Sequence, residues 1–399
     1  MTRASRRTVL TAAAAGSLAP VLPGIGLPGI GAAPAHAGAP NILKPLPPDR
    51  FRDLGTNAEM RWDSVDPRRY LTPQADLFVR NHTRTPLVDP RTYRLTVVGD
   101  GLRGRGDGPR TRSLSLADLR RMPRTSRTTV LECTGNGRSF FGSQQGRPAP
   151  GTPWTLGAVG AVRWEGVRLG EVLDRVGVDR RAVSVMATGL DDPFVSGGVD
   201  YGRVRRPFPI DVAWDDALLA WGADGADLLP DHGAPLRLVL PGWIGIASIK
   251  WLGTLEVSRT ELTSPWNTTF YRLTGGDFGT DGPPLTINPV RSALELAWGA
   301  TLPASSRVRL TGRAWSGAGP ITRVEVSTDG ARTWHPARLD DRRSAWTRWS
   351  LDWDTPAAGP AEIAVRATDV RGRTQPDVAA VNDAGYFFDA VVRHPVTLA

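Results

Sequence analysis

A single cysteine, Cys133, in 399 residues leaves no possibility of a disulfide within the chain. It also leaves no C-x-x-C-H haem attachment and no cysteine set for zinc or an iron–sulfur cluster. Lysine is nearly missing as well. Lys44 and Lys250 are the only two, so the formal charge of +9 rests almost wholly on arginine. The arginines are scattered among aspartates and form no run of five or more, which argues against nucleic acid and for a locally basic cleft that takes a small anion. Tyrosine is scarce, five residues against fourteen tryptophans. So many large rings suit either a rigid core around a prosthetic group or plain core packing. Familiar enzyme motifs are missing too. There is no G-x-x-x-x-G-K-[ST], no H-E-x-x-H and no G-x-S-x-G. Their absence argues against nucleotide hydrolases, zinc proteases and α/β-hydrolases.

What is present begins with an export pattern. Ser5-Arg6-Arg7-Thr8-Val9-Leu10 leads into an uncharged Ala-rich stretch ending in Ala35-His36-Ala37. This is the form of a twin-arginine signal over residues 1–37, cut before Gly38. Pro20, Pro23 and Pro28 break the apolar stretch well short of the roughly 20 residues a membrane span needs, so cleavage is expected rather than a stable anchor. The expected location is periplasmic or extracellular. The twin-arginine route carries folded proteins and is used when a cofactor must be inserted first. A lone thiol is endangered in an oxidising compartment, so Cys133 is expected to be either buried and inert or bound to something.

The length suits two or three domains at roughly 100–200 residues each. Residues 38–77 are Pro-rich and polar without sustained periodicity, which predicts an extended N-terminal arm. Residues 78–282 alternate short apolar runs with turn clusters and predict a mixed α+β domain. Its strands are expected at 94–98, 129–131, 183–188, 236–240 and 252–257, and its helices at 116–121, capped by Ser115, and 169–176. Residues 283–399 change character. Segments 307–315, 321–327, 346–353 and 361–368 alternate apolar and polar side chains, and Ser327-Thr328-Asp329-Gly330 is a hairpin turn with Trp334 on the returning strand. This predicts an immunoglobulin-like β-sandwich.

Chemistry concentrates in three polar islands. The first is Phe78-Val79-Arg80-Asn81-His82. The second is Leu131-Glu132-Cys133-Thr134-Gly135-Asn136-Gly137-Arg138, a strand ending in cysteine and two glycines that permit close backbone approach to a ligand. The third runs Asp231-His232-Gly233-Ala234-Pro235-Leu236-Arg237 and continues to Ser248-Ile249-Lys250-Trp251-Leu252. Together and in this order they resemble the sulfite oxidase family of molybdopterin enzymes. The resemblance runs from about residue 77 to the C-terminus, where Gly312-Arg313-Ala314-Trp315-Ser316-Gly317 and Gln375-Pro376-Asp377 resemble the opening and close of that family's dimerisation domain.

The resemblance implies an α+β fold: a molybdopterin-binding domain followed by an immunoglobulin-like β-sandwich dimerisation domain, hence a homodimer. It implies molybdenum carried by a single pyranopterin dithiolene, with Cys133 as the one protein ligand to the metal. A thiolate is an apt donor to a metal already held by sulfur. Around the pterin it places Phe78, Asn81, His82, Asp191, His232, Arg237, Ser248 and Lys250. Arg237 and Lys250 suit the phosphate, and Asp191 suits ring N–H groups. At the substrate it places Arg80, Arg138, Trp154 and Tyr271 beside Cys133. Two arginines aimed into one cavity require an anion between them. One departure stands out. Where sulfite-oxidising members often carry another substrate arginine, this chain has Ala384.

The expected reaction is oxidation of sulfite, or a related sulfur compound, by oxygen-atom transfer. With no haem site in the sequence, the electrons are expected to leave to an external carrier such as a c-type cytochrome. The same centre could run in reverse as a reductase of sulfoxides or other S- or N-oxides. A reading of another class is a secreted binding protein whose β-sandwich does the work without catalysis.

Overall fold

The computed structural model describes residues 40–104, 109–341 and 345–399. The segment expected to be an export signal lies outside the described residues. Among those described, no helix is long and apolar enough to cross a membrane.

Short runs of Val, Leu, Ile and Thr between Gly- and Pro-rich turns make strands the default here. One sheet of the first domain has the order Arg205–Pro209, Ser184–Gly189, Leu252–Ser258, Arg94–Gly99, Arg110–Ser115. Only the Leu252–Ser258 and Arg94–Gly99 pair is parallel. In a second sheet Thr125–Glu132, Val159–Arg168 and Leu218–Ala223 run antiparallel, with Arg237–Val239 and Ala226–Asp227 paired to the last. The helix Leu169–Val176 follows its sequence pattern to the residue. Leu169, Val172, Leu173 and Val176 form one buried stripe, and Gly177 at φ +77° ends it in the left-handed conformation. Helix Leu116–Arg120 starts on a complete capping box, Ser115 accepting from Asp118 N and Asp118 accepting from Ser115 N.

Residues 40–77 are folded, in contrast to the extended arm expected from sequence. Strands Phe51–Asp53 and Asn57–Met60 pair with each other, and the second pairs with Val79–Arg80. Asn57–Met60 is buried along its whole length, so no alternation marks it in sequence. The same segment supplies Trp62, whose ring lies 6.2 Å from that of Trp315 and 6.3 Å from that of Trp346. These three tryptophans are packing residues that join the N-terminal segment to the second domain.

That second domain is the expected β-sandwich. One sheet runs Arg291–Leu294, Arg307–Trp315, Thr347–Asp354, Arg338–Asp341; the other runs Thr301–Leu302, Arg393–Leu398, Gly359–Asp369, Ile321–Ser327, His335–Pro336. Inward residues of both, Leu310 and Trp349 from one and Val324, Ile363 and Val396 from the other, make one core. Each such side chain contributes roughly 1.5–3 kcal/mol on burial. A loop over 328–334, longer than the expected tight turn, joins Ser327 to His335–Pro336, which returns along Glu325 and Val326, so Trp334 lies in the loop and not on the returning strand.

Candidate active site

Strand Thr125–Glu132 ends as Cys133 enters a turn, which closes through Asn136 N donating to the Cys133 carbonyl at 2.9 Å. Asn136 clamps that turn: Oδ1 accepts from Ala158 N at 3.0 Å, and Nδ2 donates to Glu132 Oε1 at 2.9 Å. Cys133 is half-buried, packs against the apolar cluster of Phe78, Leu131 and Trp154, and lines a cavity with about 700 Å³ of open space. Gly135 makes room for protein rather than ligand. A Cβ there would lie 2.5 Å from Arg138 Nη2.

Phe78, Arg80, Asn81, His82, Asp191, His232, Arg237, Ser248, Lys250 and Tyr271 line this cavity together with Cys133. Arg138 and Trp154 do not. The Trp154 ring is buried, edge-on to Phe78 at 6.4 Å, and stands behind the cavity wall. Arg138 donates through Nε to Ala384 O at 3.0 Å and through Nη1 to Thr152 O at 2.9 Å. Its guanidinium lies 5.6 Å from the centre of the Tyr386 ring, so it stands just behind the Cys133 end. Burial lowers the Arg138 pKa, opposed by Tyr386, Cys133 and Tyr271. Ala384 meets Arg138 through its carbonyl and packs among apolar side chains.

The far end is cationic and rigid. Arg237 Nη1 donates to His232 O at 2.9 Å and Nη2 to Ser248 O at 3.0 Å, and the guanidinium lies 4.5 Å from the Trp164 ring centre. The Ser248 hydroxyl accepts from Leu240 N at 3.1 Å, which orients it. Lys250 Nζ donates to Asn81 Oδ1 and, at 2.9 Å, to Asp231 O. Burial drives the Lys250 pKa well below its usual value, with Arg237 adding to the effect, and takes Arg237 down to about 9. Both histidines are held neutral: burial is the main cause, joined by Arg80 at His82 and by Lys44 at His232. His232 Nε2 lies 2.8 Å from Gln74 O, which puts the proton on that nitrogen.

Several buried polar atoms here have no hydrogen-bond partner among the described residues: Arg80 Nη1, Thr134 Oγ1, Asp191 Oδ1 and Arg237 Nε. Orphaned groups of this kind are costly unless something else binds them. They need a ligand that both accepts from cations and donates to a carboxylate, and a phosphate-bearing pterin has both properties. Burial pushes Asp191 up to about 7. Two lining residues, Trp251 at φ +49° and Tyr271 at φ +59°, hold the left-handed conformation without being glycine, strain of about 1–3 kcal/mol each that clusters at functional sites. Among the described residues no group of three or more His, Cys, Asp or Glu is placed to hold a metal ion. A metal beside Cys133 would therefore need ligands that arrive with its cofactor.

Sequence reasoning missed Asp231, Thr134, Tyr386 and Lys44. Asp231 and Thr134 sit inside the quoted islands and line the cavity. Tyr386 stacks on Tyr271 at 5.1 Å and 8°. Lys44 had a signal available, as one of only two lysines.

Residues 82–266 match the oxidoreductase molybdopterin binding domain, and residues 295–396 match the Mo-co oxidoreductase dimerisation domain. The chain is 36% identical to the sulfite oxidase of Gallus gallus over 372 residues, 86% of this chain and 77% of that one. It is 35% identical to the mitochondrial sulfite oxidase of Homo sapiens over 359 residues, 84% of this chain but only 63% of the human protein. In three dimensions it is similar to the sulfane dehydrogenase SoxCD of Paracoccus pantotrophus, with a TM-score of 0.73, 26% identity, and coverage of 87% of this chain and 88% of that one. These matches set aside the reading as a non-catalytic binding protein. A molybdopterin-binding domain followed by a dimerisation domain makes this chain an enzyme, and it belongs to the sulfite oxidase family of molybdopterin-dependent oxidoreductases.

Proposed function

We propose that this enzyme oxidises sulfite or a related small sulfur compound, that it acts outside the cytoplasm after twin-arginine export, and that it passes electrons to an external carrier such as a c-type cytochrome. The observation that carries the reading is the position of Cys133, on the wall of the cavity that Arg80, His82, His232 and Arg237 also line. Bound at Cys133, a molybdenum pterin supplies two-electron chemistry and oxygen-atom transfer.

The chain's own residues do the rest. The Cys133 thiolate holds the metal, fixed by the Asn136 clamp. Arg237, Lys250 and Ser248 hold the phosphate, with neutral His232 beside them. Asp191 accepts from the pterin's ring N–H groups. Arg80, whose Nη1 has no protein partner, gathers the anionic substrate. Burial keeps the Tyr271 hydroxyl protonated, so it can donate a hydrogen bond to a substrate oxygen. Arg138 supports the same charge from behind. Homodimerisation through the second domain is part of the proposal.

One observation favours a second reading. Ala384 contributes no charge where the family's full arginine set has one, and Arg138 commits two donors to backbone carbonyls, so fewer cationic donors are free for an anionic substrate at that end. A neutral S-oxide substrate, reduced rather than oxidised, fits that end.

Elemental analysis of the purified protein, followed by mixing with sulfite, tests the proposal. Molybdenum stoichiometric with the chain and reduction by sulfite are expected. A molybdenum-loaded protein that stays oxidised in sulfite overturns the oxidase reading. Its reduced form reoxidised by methionine sulfoxide selects the reductase.

A further inference from the structure

The cationic end of the cavity is fastened from outside by a segment that sequence reasoning left out of the site. Leu43 N donates to both carboxylate oxygens of Asp231, at 3.0 and 3.1 Å, and Lys44 N donates to Oδ2 at 2.7 Å. The Thr85 hydroxyl donates to Oδ1 at 2.5 Å. Asp231 in turn offers its carbonyl to Lys250 Nζ at 2.9 Å. Asn81, the other acceptor for Lys250, donates to Thr85 Oγ1 at 2.9 Å and to Asn41 O at 3.4 Å. The Lys44 ammonium donates to the carbonyls of Gln74, Ala75 and Leu77, and the Gln74 carbonyl is also the partner of His232.

These bonds form one network. Asp231 is 1% exposed, so its carboxylate tolerates burial only while its N–H and O–H donors are in place. If the segment came away, the carboxylate would have to turn to water. The carbonyls that fix Lys250 and Arg237 would move with it, since both belong to the run 231–232.

We infer that residues 41–44 are a strap that fixes Asp231 and, through it, the phosphate-binding cations, so that strap docking sets how long the cofactor stays bound. This rests on the cofactor reading above. Asp231 is a positioning residue here, acting through Lys250 and His232. A site held rigid in its bound geometry loses less ordering entropy on binding and releases ligand more slowly.

The test compares wild-type holoenzyme with Asp231→Asn and Thr85→Val, the second removing one donor to Asp231 and the acceptor of Asn81 Nδ2 while keeping the Thr85 N bond to the strap's Asn41 O. Two quantities are followed: amide hydrogen exchange at Leu43 and Lys44, and the molybdenum and pterin retained during prolonged dialysis. Exchange at both amides should rise in Asp231→Asn, and cofactor should be lost about tenfold faster. Thr85→Val should move both readouts in the same direction by less, and it serves if Asp231→Asn fails to fold. Faster exchange with unchanged cofactor retention would make the strap merely structural and overturn the inference. Unchanged exchange would show that Asp231 does not hold the strap and overturn it equally. A wild-type protein devoid of molybdenum would overturn the cofactor reading itself, an outcome seen before any substitution is made.

Discussion

The indole of Trp315, on the β-sandwich, donates to Glu132 Oε2 at 2.9 Å, one residue before Cys133. Arg291, also from the sandwich, pairs with Glu132 Oε1 at 3.3 Å and donates to the carbonyl of Asn136. The turn carrying the proposed metal ligand is thus buttressed by the second domain. Glu132 is wholly buried, and burial raises its pKa against the pull of Arg291. Removing the indole donor leaves a buried carboxylate short of one bond. Trp315→Phe should therefore cost about 1.5–3 kcal/mol, read from the midpoint of denaturant unfolding. An unchanged midpoint would mean that the bond contributes nothing.

Cys133→Ser tests the metal assignment. The two side chains are close in size and the position is only half-buried, so the fold should survive and the unfolding midpoint of the cofactor-free protein should hardly move. Serine is a poor donor to a metal in a sulfur environment. Sulfite-dependent reduction should therefore vanish. A serine variant that still turns over sulfite would remove Cys133 from the mechanism.

Arg80→Met separates binding from folding. Arg80 Nη1 is buried without a partner, so the native cofactor-free protein should not be destabilised by losing it. Losing one charge-assisted contact of about 1.5–3 kcal/mol should raise the KM for sulfite roughly 10- to 150-fold. A KM within twofold of wild type would place the substrate elsewhere.

Asp191 predicts a pH dependence. Its usual value is 3.8, and burial takes the folded protein's value up to about 7. The folded state therefore holds this proton more tightly than the unfolded chain. The stabilisation is fully present below 3.8 and is lost as pH rises through 7. In the cofactor-free protein, Asp191→Asn should become more stable relative to wild type as pH climbs across that window. A difference independent of pH would show that Asp191 titrates normally.

Much of this was legible before any coordinates, and for identifiable reasons. Helix Leu169–Val176 is a clean 3.6-residue stripe closed by a glycine, and the sandwich strands alternate polar and apolar residue types over Arg307–Thr311 and Val324–Ser327. Strands Leu218–Ala223 and Val159–Arg168 were not identified in sequence. The first is buried at every position and the second at all but two, so neither carries the alternation that marks a half-exposed strand. Most cavity residues were found because they fall in three short islands. The strap was not, because its hold on Asp231 comes from the backbone amides of Leu43 and Lys44, which leave no trace in residue type; the scarcity of lysine marks Lys44 but not its partners. Trp154 and Arg138 stand behind the cavity lining, and spacing along the chain does not say which ring or guanidinium stands in front.

The scarcity of lysine has a practical side. Lys44 is 8% exposed and bonded to three carbonyls, and Lys250 is turned into the cavity, held by Asn81 and Asp231. Amine-directed cross-linkers and acylating labels would find almost nothing to react with on the outside of this folded enzyme. A glutaraldehyde experiment returning only monomers would therefore say little about self-association. Carboxylate-directed coupling or sedimentation is the informative choice, because Asp and Glu number 40 and many sit at the surface.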